Sequence, residues 1–273
     1  DSLREAVALI GSQGGYLYLP DEIKYDPFSY ISILPDSPFK MPFWYHNNQL
    51  RVPSKVNMSM DISRYVVEHI RNCLDYSSFD SQFIIEDGLI RASTTIEDKK
   101  VSIILDYPVS IKVRNSDKVA SLTQFQAEMT SRLGFMHDLA SDIVSAENTN
   151  NFLEETVLDL ISISDLPGEG MDFKCTKRTW SEQFDIKPIL QNLVKYNFNE
   201  FRFDGTEYTE SEAAYIKSFY HIKLPRTYSG LRVSTIYNPE LGMDLNVDPS
   251  SGDTVRSMNF DVPVISSCLQ IYH

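Results

Sequence analysis

The sequence predicts an α+β fold: an antiparallel meander sheet covered by helices, followed by a second mixed α/β region rich in β-hairpins. Two patterns predict it. In several segments apolar side chains recur at steps of three and four residues, which is typical of amphipathic helices. In others, apolar and polar side chains alternate between short polar turns, which is typical of paired strands. Because several strands follow one another before the next helices begin, the pattern favours a segregated α+β arrangement.

The first part of the chain is predicted to form a helix, a strand and a longer helix. Asp1–Ile10 has helical spacing, and Gly11 stands where that helix would end. Tyr16–Leu19 is an apolar aromatic run that indicates a strand. From about Met60 to Leu74 apolar residues recur with helical spacing, which predicts an amphipathic helix.

A meander of three or four antiparallel strands is expected next. Residues 90–96 and 101–105 alternate on either side of a polar turn, which predicts a hairpin. The alternation resumes at 109–113, and a last stretch surrounds Leu122 and Phe125. Residues 133–144 and 152–163 then have helical spacing, and the polar residues between them predict a turn. These elements make up a predicted first domain of residues 1–166.

A second α+β region is predicted for residues 171–273, and whether it continues past the last residue is left open. It contains a helix at 186–196, a hairpin signal at Phe201–Gly205 and a helix from Thr209 to Ile222. Its remaining elements are strands around 231–235 and 243–247 and further strand structure toward Ile271.

Residues 20–53 combine many prolines with many aromatic side chains. Proline at this density breaks regular structure, and aromatic side chains must bury against their own domain or against a partner. Burial against the chain's own domain is the favoured interpretation, and an exposed binding surface is the other. The interface candidates in and beside this segment are Tyr16, Tyr18, Phe28, Tyr30, Phe43, Trp44 and Tyr45.

The charge of the chain excludes some classes of partner. Its 273 residues carry a formal net charge of −13, which repels phosphate backbones and anionic lipid at long range. Nucleic-acid binding is therefore not expected. No stretch has the roughly 20 apolar residues that a spanning helix needs, so we expect membrane association only through a segment outside this chain.

No catalytic or cofactor motif stands in the sequence. P-loop, dinucleotide-binding, HExxH and GxSxG strings are all missing, and the five histidines have no nucleophile nearby in sequence. His69 and Cys73 share the predicted apolar helix face, where a packed core is favoured over a metal pair. We therefore predict no catalytic residue, no cofactor and no enzyme.

One stretch has the composition of a surface cation site. Its oxygen-bearing side chains are Asp244, Asn246, Asp248 and Asp253. Calcium prefers such ligands, but a proline follows Asp248 where an EF-hand loop needs glycine, and no twelfth-position glutamate follows. A β-hairpin explains the same alternation and is the favoured interpretation.

Cys73, Cys175 and Cys268 lie far apart and show no metal-ligand spacing. An odd number leaves at least one thiol unpaired within the chain. Whether each is free or disulfide-bonded stays open at this point.

Several short phrases spread over most of the chain carry a resemblance: Leu9–Tyr16, Arg64–Val66 with Cys73-Leu74, Tyr107–Val109, Ser131–Gly134 and Cys268–His273. Together they resemble a family of uncharacterised proteins from small-genome, often symbiotic, archaea. Members of that family carry one N-terminal transmembrane helix and a large extracytoplasmic region. The resemblance implies a cell-surface location, an anchoring helix before Asp1 and further β structure after His273. It also implies that Cys73 or Cys268 could pair with a cysteine outside these boundaries.

The expected function is that of a non-catalytic extracytoplasmic surface protein, either a structural subunit of a cell-envelope assembly or an adhesion module. Such a protein would bind a protein partner or assemble with itself. Two alternatives fit the same composition. One is an extracytoplasmic hydrolase that uses paired carboxylates, and the other is a small-ligand receptor whose stacking wall includes Trp44, Tyr45, Trp180 and the Tyr215-Phe219-Tyr220 group.

Overall fold

The computed structural model of the chain describes residues 1–32, 39–46, 49–114, 117–163, 183–198, 200–208, 220–236, 244–249, 255–261 and 268–272. The fold is α+β with an antiparallel meander sheet, as predicted. The chain divides into two compact units, Asp1–Asp138 and Leu139–His273. The division falls inside one helix. The predicted boundary between residues 166 and 171 lies outside the described residues and stays a prediction.

The elements of the first unit, in chain order, are α1 (Ser2–Ser12), α2 (Asp21–Lys24), β1 (Tyr30–Ser32), β2 (Lys40–Pro42), β3 (Tyr45–His46), β4 (Gln49–Leu50), α3 (Lys55–Cys73), β5 (Phe83–Asp87), β6 (Arg91–Ile96), β7 (Lys100–Val113), β8 (Val119–Thr130) and the beginning of α4 (Leu133–Asn150). A short 3-10 turn, Ser77–Phe79, follows α3.

The main sheet is built around the long strand β7. Along one edge β7 pairs antiparallel with β8. Along the other edge, β6 pairs with the first half of β7 and β5 with its second half. β6, β7 and β8 therefore form an antiparallel meander, and β5 joins it along the second half of β7. The separate strand predicted at 109–113 is wrong, because β7 continues through Pro108 to Val113. The ladder between β7 and β8 shifts register between Asp106 and Val109.

Helices α1 and α3 cover one face of this sheet and form its core. Apolar residues spaced three and four apart on each helix meet the alternating apolar residues of β6 and β7, which removes both sets from water. The buried members of this core are Leu3, Ala6, Val7, Ile10, Met58, Ile62, Tyr65, Val66, Ile96, Val101, Ile103 and Leu133.

The second unit contains the rest of α4 and then α5 (Phe152–Ile163), α6 (Gln183–Phe198), β9 (Phe201–Asp204), β10 (Tyr220–Lys223), β11 (Arg232–Ile236), β12 (Asp244–Pro249), β13 (Val255–Asp261) and β14 (Cys268–Tyr272). β11 pairs antiparallel with β14, and β12 with β13. Phenylalanines concentrate in its core: the ring of Phe201 lies 5.4 Å from that of Phe152 and 5.5 Å from that of Phe198. Such tilted aromatic contacts add to the stabilisation from burial.

Three other predictions for the first unit are wrong at the level of elements. Gly11 lies inside α1, and the chain turns at Gly14 and Gly15, whose φ angles are positive. Tyr16–Leu19 forms no strand. Helix α3 begins at Lys55, before the predicted start, because the Ser54 hydroxyl accepts a hydrogen bond from the Asn57 N–H at 3.1 Å and caps the helix there.

Cys73 is a free, exposed cysteine, so its predicted place on an apolar helix face is also wrong. It is the last residue of α3, and its side chain is exposed although Ile70 and Leu74 beside it pack against the core. Cys175 and the side chain of Cys268 lie outside the described residues.

Three predictions for the second unit are wrong as well. The hairpin signal at Phe201–Gly205 does not form a hairpin, because β9 pairs in parallel with the distant β10. Tyr220–Ile222, predicted as the end of a helix, belongs to β10. The polar residues after position 147 extend α4 to Asn150, and the turn comes at Asn151 with a φ of 47°.

Candidate binding cleft

The turn after α1 brings the aromatic Tyr16–Leu19 segment against the beginning of α3. Gly14 and Gly15 have φ angles of 63° and 88°, which glycine adopts without the strain that a Cβ atom would cause. A Cβ atom on Gly15 would also lie 2.6 Å from the Cγ atom of Pro53. The double glycine therefore allows the segment to approach the chain just before α3.

Asp61 of α3 fastens this segment to the helix. Its carboxylate accepts hydrogen bonds from the backbone N–H groups of Leu17 and Tyr18. These bonds take the place of a strand ladder, which explains why Tyr16–Leu19 is irregular. The pKa of Asp61 is raised above its ordinary value because burial disfavours the charged form more than the hydrogen bonds favour it.

Tyr18 is held between two charged residues of α3. The Arg64 guanidinium lies 4.3 Å from the ring centroid of Tyr18, and the Tyr18 hydroxyl donates to Glu68 Oε2 at 2.9 Å. Arg64 Nε also donates to Glu68 Oε1 at 3.0 Å, one turn along the helix. Desolvation first, and then the Glu68 carboxylate, raise the pKa of Tyr18 to about 12. Tyr18 is therefore a neutral hydrogen-bond donor at any physiological pH.

Tyr16 joins the same segment to the loop before α3. Its hydroxyl donates to the backbone carbonyl of Arg51. The Arg51 guanidinium in turn donates to the Ser29 hydroxyl at 2.8 Å, and Ser29 donates to the Asp26 carboxylate. This chain of hydrogen bonds holds the loop in position.

These contacts frame an open cleft of about 660 Å³ in the first unit. Apolar and aromatic side chains alternate around it with amides and charged groups. The lining residues are Gly15, Tyr16, Tyr18, Pro20, Glu22, Ile23, Gln49, Leu50, Arg51, Val52, Pro53, Asn57, Met60 and Asp61.

A groove of about 560 Å³ lies on the other side of Met60, between α3 and the outer edge of β6. Ser63 of α3 donates to the Thr94 hydroxyl of β6 at 2.8 Å, and both residues line the groove. Met60 lines both the groove and the cleft. Leu50, Val56 and Met60 are exposed to 60%, 68% and 58%, so a discontinuous apolar surface extends from the cleft into the groove.

The structure places two of the seven interface candidates, Tyr16 and Tyr18, in the cleft. Phe28 is highly exposed elsewhere in the segment. The other four are half-buried: Tyr30, Phe43, Trp44 and Tyr45.

Contacts within the first unit account for two of these four residues, Trp44 and Tyr30. The Trp44 Nε1–H donates to the Gly14 carbonyl at 2.7 Å, and its ring lies 5.6 Å from that of His137. The Lys40 ammonium lies 4.2 Å from the ring centroid of Tyr30. Trp44 therefore holds the glycine turn in place behind the cleft.

Sequence reasoning missed the exposed apolar residues of the cleft and the groove. Val56 and Met60 are four residues apart on α3 and stand out of phase with the buried residues Met58 and Ile62. Helical spacing therefore places Val56 and Met60 on a different side of α3 from the buried residues, and this signal could have identified them from the sequence. Leu50 offers no such signal, because its position depends on the fold of the loop.

The predicted cation candidates remain a prediction. The backbone of Asp244, Asn246 and Asp248 lies in β12, which pairs with β13 as the hairpin interpretation expects. Asp253 lies outside the described residues. Among the residues that the structure describes, no group of three or more His, Cys, Asp or Glu side chains could hold a metal ion.

A close pair of carboxyl groups does occur in the second unit, at the corner between α4 and α5. Glu147 is buried, and its Oε2 atom accepts from the Leu153 N–H at the beginning of α5, at 3.2 Å. Burial first, and then the neighbouring Glu154 carboxyl, raise the pKa of Glu147 to about 9. Glu147 therefore caps α5, and neither carboxyl group of the pair lines the cleft or the groove.

Comparison with known proteins adds no relative. No protein-family model, no curated protein and no solved structure matches this chain. No enzyme family is identified for it. No helix among the described residues is long and apolar enough to cross a membrane.

Proposed function

We propose that this chain is a non-catalytic extracytoplasmic surface protein, an adhesion module or envelope subunit, that binds a segment of a partner protein in the cleft and groove of its first unit. The observation that carries the proposal is the exposure of Leu50, Val56 and Met60 along these two depressions. Apolar side chains that border a concave surface lose water contact when a partner covers them, and this favours binding.

The charges around the cleft indicate the chemistry of the partner segment. Glu22 and Asp61 line the cleft with a single cationic side chain, Arg51, whose guanidinium already donates to Ser29 and Gln49. The whole chain carries a net charge of −13. An extended segment with apolar side chains beside a lysine or arginine would complement this surface and be steered toward it.

The internal bonding of the cleft supports binding over catalysis. Tyr16, Tyr18 and Asp61 each hydrogen-bond to another part of the first unit, so their polar groups position the walls of the cleft. A wall that is fixed before binding limits the conformational entropy lost when a partner docks.

A sedimentation assay on envelope fragments of the cells that make the protein tests this proposal. Labelled wild-type protein should bind saturably, and Met60→Glu should weaken the binding about tenfold or more, because it places a charge against the apolar side chains of the partner. Leu158→Glu is the matched control: Leu158 is also exposed to 58%, but it lies on α5 of the second unit. No saturable binding, or an equal loss in Met60→Glu and Leu158→Glu, would contradict the proposal.

A small-ligand receptor is the second candidate, and the size of the cleft favours it. About 660 Å³ is within the range of roughly 300 to 1,000 Å³ that small-molecule sites occupy. A ligand held there would raise the unfolding temperature of the wild type. The same increase should be lost in Tyr18→Ala, and an increase that persists in this variant would place the ligand elsewhere.

A further inference from the structure

Strand β8 presents an unprotected edge. Its inner edge pairs with β7, and no strand in the described part of the chain pairs with its outer edge. Every residue from Val119 to Thr130 is exposed except Met129, which is half-buried. The strand has twelve residues, one charged residue and no proline. Proteins usually shorten, charge or interrupt such edges to prevent pairing with another chain, so this edge is open to pairing.

The apolar side chains of β8 lie on the face of the sheet that α3 covers. Phe125 is directly opposite Leu105, and Leu122 is directly opposite Val109, which packs with Tyr107 against residues of α3. Directly opposed residues of an antiparallel pair share a face. Leu122 and Phe125 nevertheless remain 50% and 40% exposed.

The register shift makes β8 complementary to a second copy of itself. Two residues of β7, Tyr107 and Pro108, lie between Asp106 and Val109, whereas only Thr123 of β8 lies between their partners Gln124 and Leu122. The alternation of side chains between the two faces is interrupted at this point. Leu122 and Phe125, three residues apart, therefore share a face, which a regular strand does not allow.

An antiparallel second copy fits this pattern in one register, with its two-fold axis between positions 123 and 124. Apolar residues then oppose apolar residues, and polar residues oppose polar residues. The opposed pairs are Ala120 with Ala127, Ser121 with Gln126, Leu122 with Phe125, and Thr123 with Gln124.

Charges at the two ends of the strand favour the same register. Glu128, the only charged residue of β8, would lie opposite Val119 of the second copy. Val119 is preceded by Lys118 and is paired with Lys112 in β7. Two-fold symmetry places Glu128 near Lys118 at both ends of the strand, and within its own chain Glu128 Oε2 also lies 3.6 Å from the Lys100 ammonium.

We propose that two copies of this chain pair through β8, antiparallel and about a two-fold axis, to form one continuous sheet. The two α3 helices then lie on the same face, and the Leu122 and Phe125 side chains of both copies fill the space between them. The groove remains open, because it borders β6, on the other edge of β7. The inference concerns a surface separate from the cleft and is independent of the proposed function.

Sedimentation equilibrium tests the dimer. Wild-type protein should shift reversibly with concentration from 31.3 kDa toward twice that mass. Phe125→Lys and Leu122→Lys should raise the dissociation constant of the dimer about tenfold or more, since each change occurs twice in the interface. Leu89→Lys is the control, because Leu89 is 59% exposed and joins β5 to β6 on the opposite edge of the sheet. A monomeric wild type, or a dimer unaffected by Phe125→Lys, overturns the proposal.

Disulfide formation tests the register without relying on the lysine variants. In the double variant Ser121→Cys and Gln126→Cys, each new thiol would face the other type across the interface. Mild oxidation should therefore link two chains covalently, whereas Ser121→Cys alone and the wild type should remain mostly unlinked. Equal linking of the single and double variants would show that the thiols do not meet in this register and would overturn it.

Discussion

At the residue scale, Gly134 has no room for a side chain. It lies in the first turn of α4, and a Cβ atom there would be 2.5 Å from the Glu97 carbonyl oxygen in the turn between β6 and β7. Alanine normally stabilises a helix by about 1 kcal/mol relative to glycine. At Gly134 the clash with the Glu97 carbonyl oxygen should make alanine destabilising instead.

Gly134→Ala should therefore lower the free energy of unfolding in urea, by about 1 kcal/mol or more. Gly11→Ala is the matched control, because Gly11 also lies in a helix, and nothing is within 4 Å of its added Cβ atom. That variant should be neutral or stabilised by up to about 1 kcal/mol. Equal effects of the two substitutions would contradict the close approach of α4 to the turn.

Glu147 should make stability depend on pH. Its pKa is raised by burial, so the folded chain keeps a proton that the unfolded chain releases. The contribution of Glu147 to stability is therefore fully present below the ordinary glutamate pKa of about 4.5 and is lost as pH rises to about 9.

Glu147→Gln should remove this dependence, because glutamine stays neutral and keeps an oxygen for the Leu153 N–H. Measured by urea unfolding, the free energy of unfolding of Glu147→Gln should increase relative to that of the wild type between about pH 5 and pH 9. This range lies between the ordinary pKa of glutamate and the raised pKa of Glu147. Exposed Glu155, in the first turn of α5, provides Glu155→Gln as a control for the loss of one charge. A constant difference across this pH window would show that Glu147 ionises normally.

Individual site residues were predictable only where composition makes them conspicuous. Tyr16 and Tyr18 stand out in an aromatic run and do line the cleft. Asp61 could not be assigned its role, because its partners are backbone N–H groups of a segment more than forty residues earlier. Leu50 and Met60 are ordinary apolar residues whose exposure depends on tertiary structure.

At the element scale, the beginning of α3 depends on Ser54. Its hydroxyl accepts from the Asn57 N–H, one of the first-turn groups that have no partner within a helix. Ser54→Ala should reduce the free energy of unfolding by about 1 kcal/mol, measured by thermal or urea denaturation. Ser54→Asp retains an acceptor at the same position and should restore most of the loss. If Ser54→Asp were as unstable as Ser54→Ala, the hydrogen bond accepted by the capping side chain would not contribute to the free energy of unfolding.

Elements with local patterns were predicted well, and elements that depend on distant partners were not. The strands around 90–96 and 101–105 alternate clearly and are joined by a short turn, so β6 and β7 follow from the sequence. Phe201–Gly205 also has a hairpin signal, yet β9 pairs with β10 across many intervening residues. A short strand signal does not identify its partner when the partner is remote.

At the scale of the whole molecule, segregated strands and helices were sufficient to predict an α+β fold. The proposed surfaces were not predictable in the same way. An edge strand such as β8 is recognisable only once the other strands are placed, and the register shift at its centre depends on the local geometry of β7. The sequence predicts association in general, whereas the two particular surfaces proposed for it follow from the arrangement of the strands and helices.

The two proposed surfaces should also respond differently to substitution. Met60 lies at the cleft and groove, and Phe125 lies on β8. Met60→Glu should therefore leave the dimer intact. Phe125→Lys should reduce dimerisation, and it should weaken binding to envelope fragments only because a monomer attaches at one site instead of two.

Backbone hydrogen exchange with and without envelope fragments tests the central claim, that the cleft and groove bind a partner, most directly. Binding there should slow exchange in residues 49–61 and in Arg91–Ile96, because a docked segment excludes water from both, while exchange in α5 stays unchanged. Unchanged exchange around Met60 under conditions where the protein is bound, or protection confined to the second unit, would contradict the account.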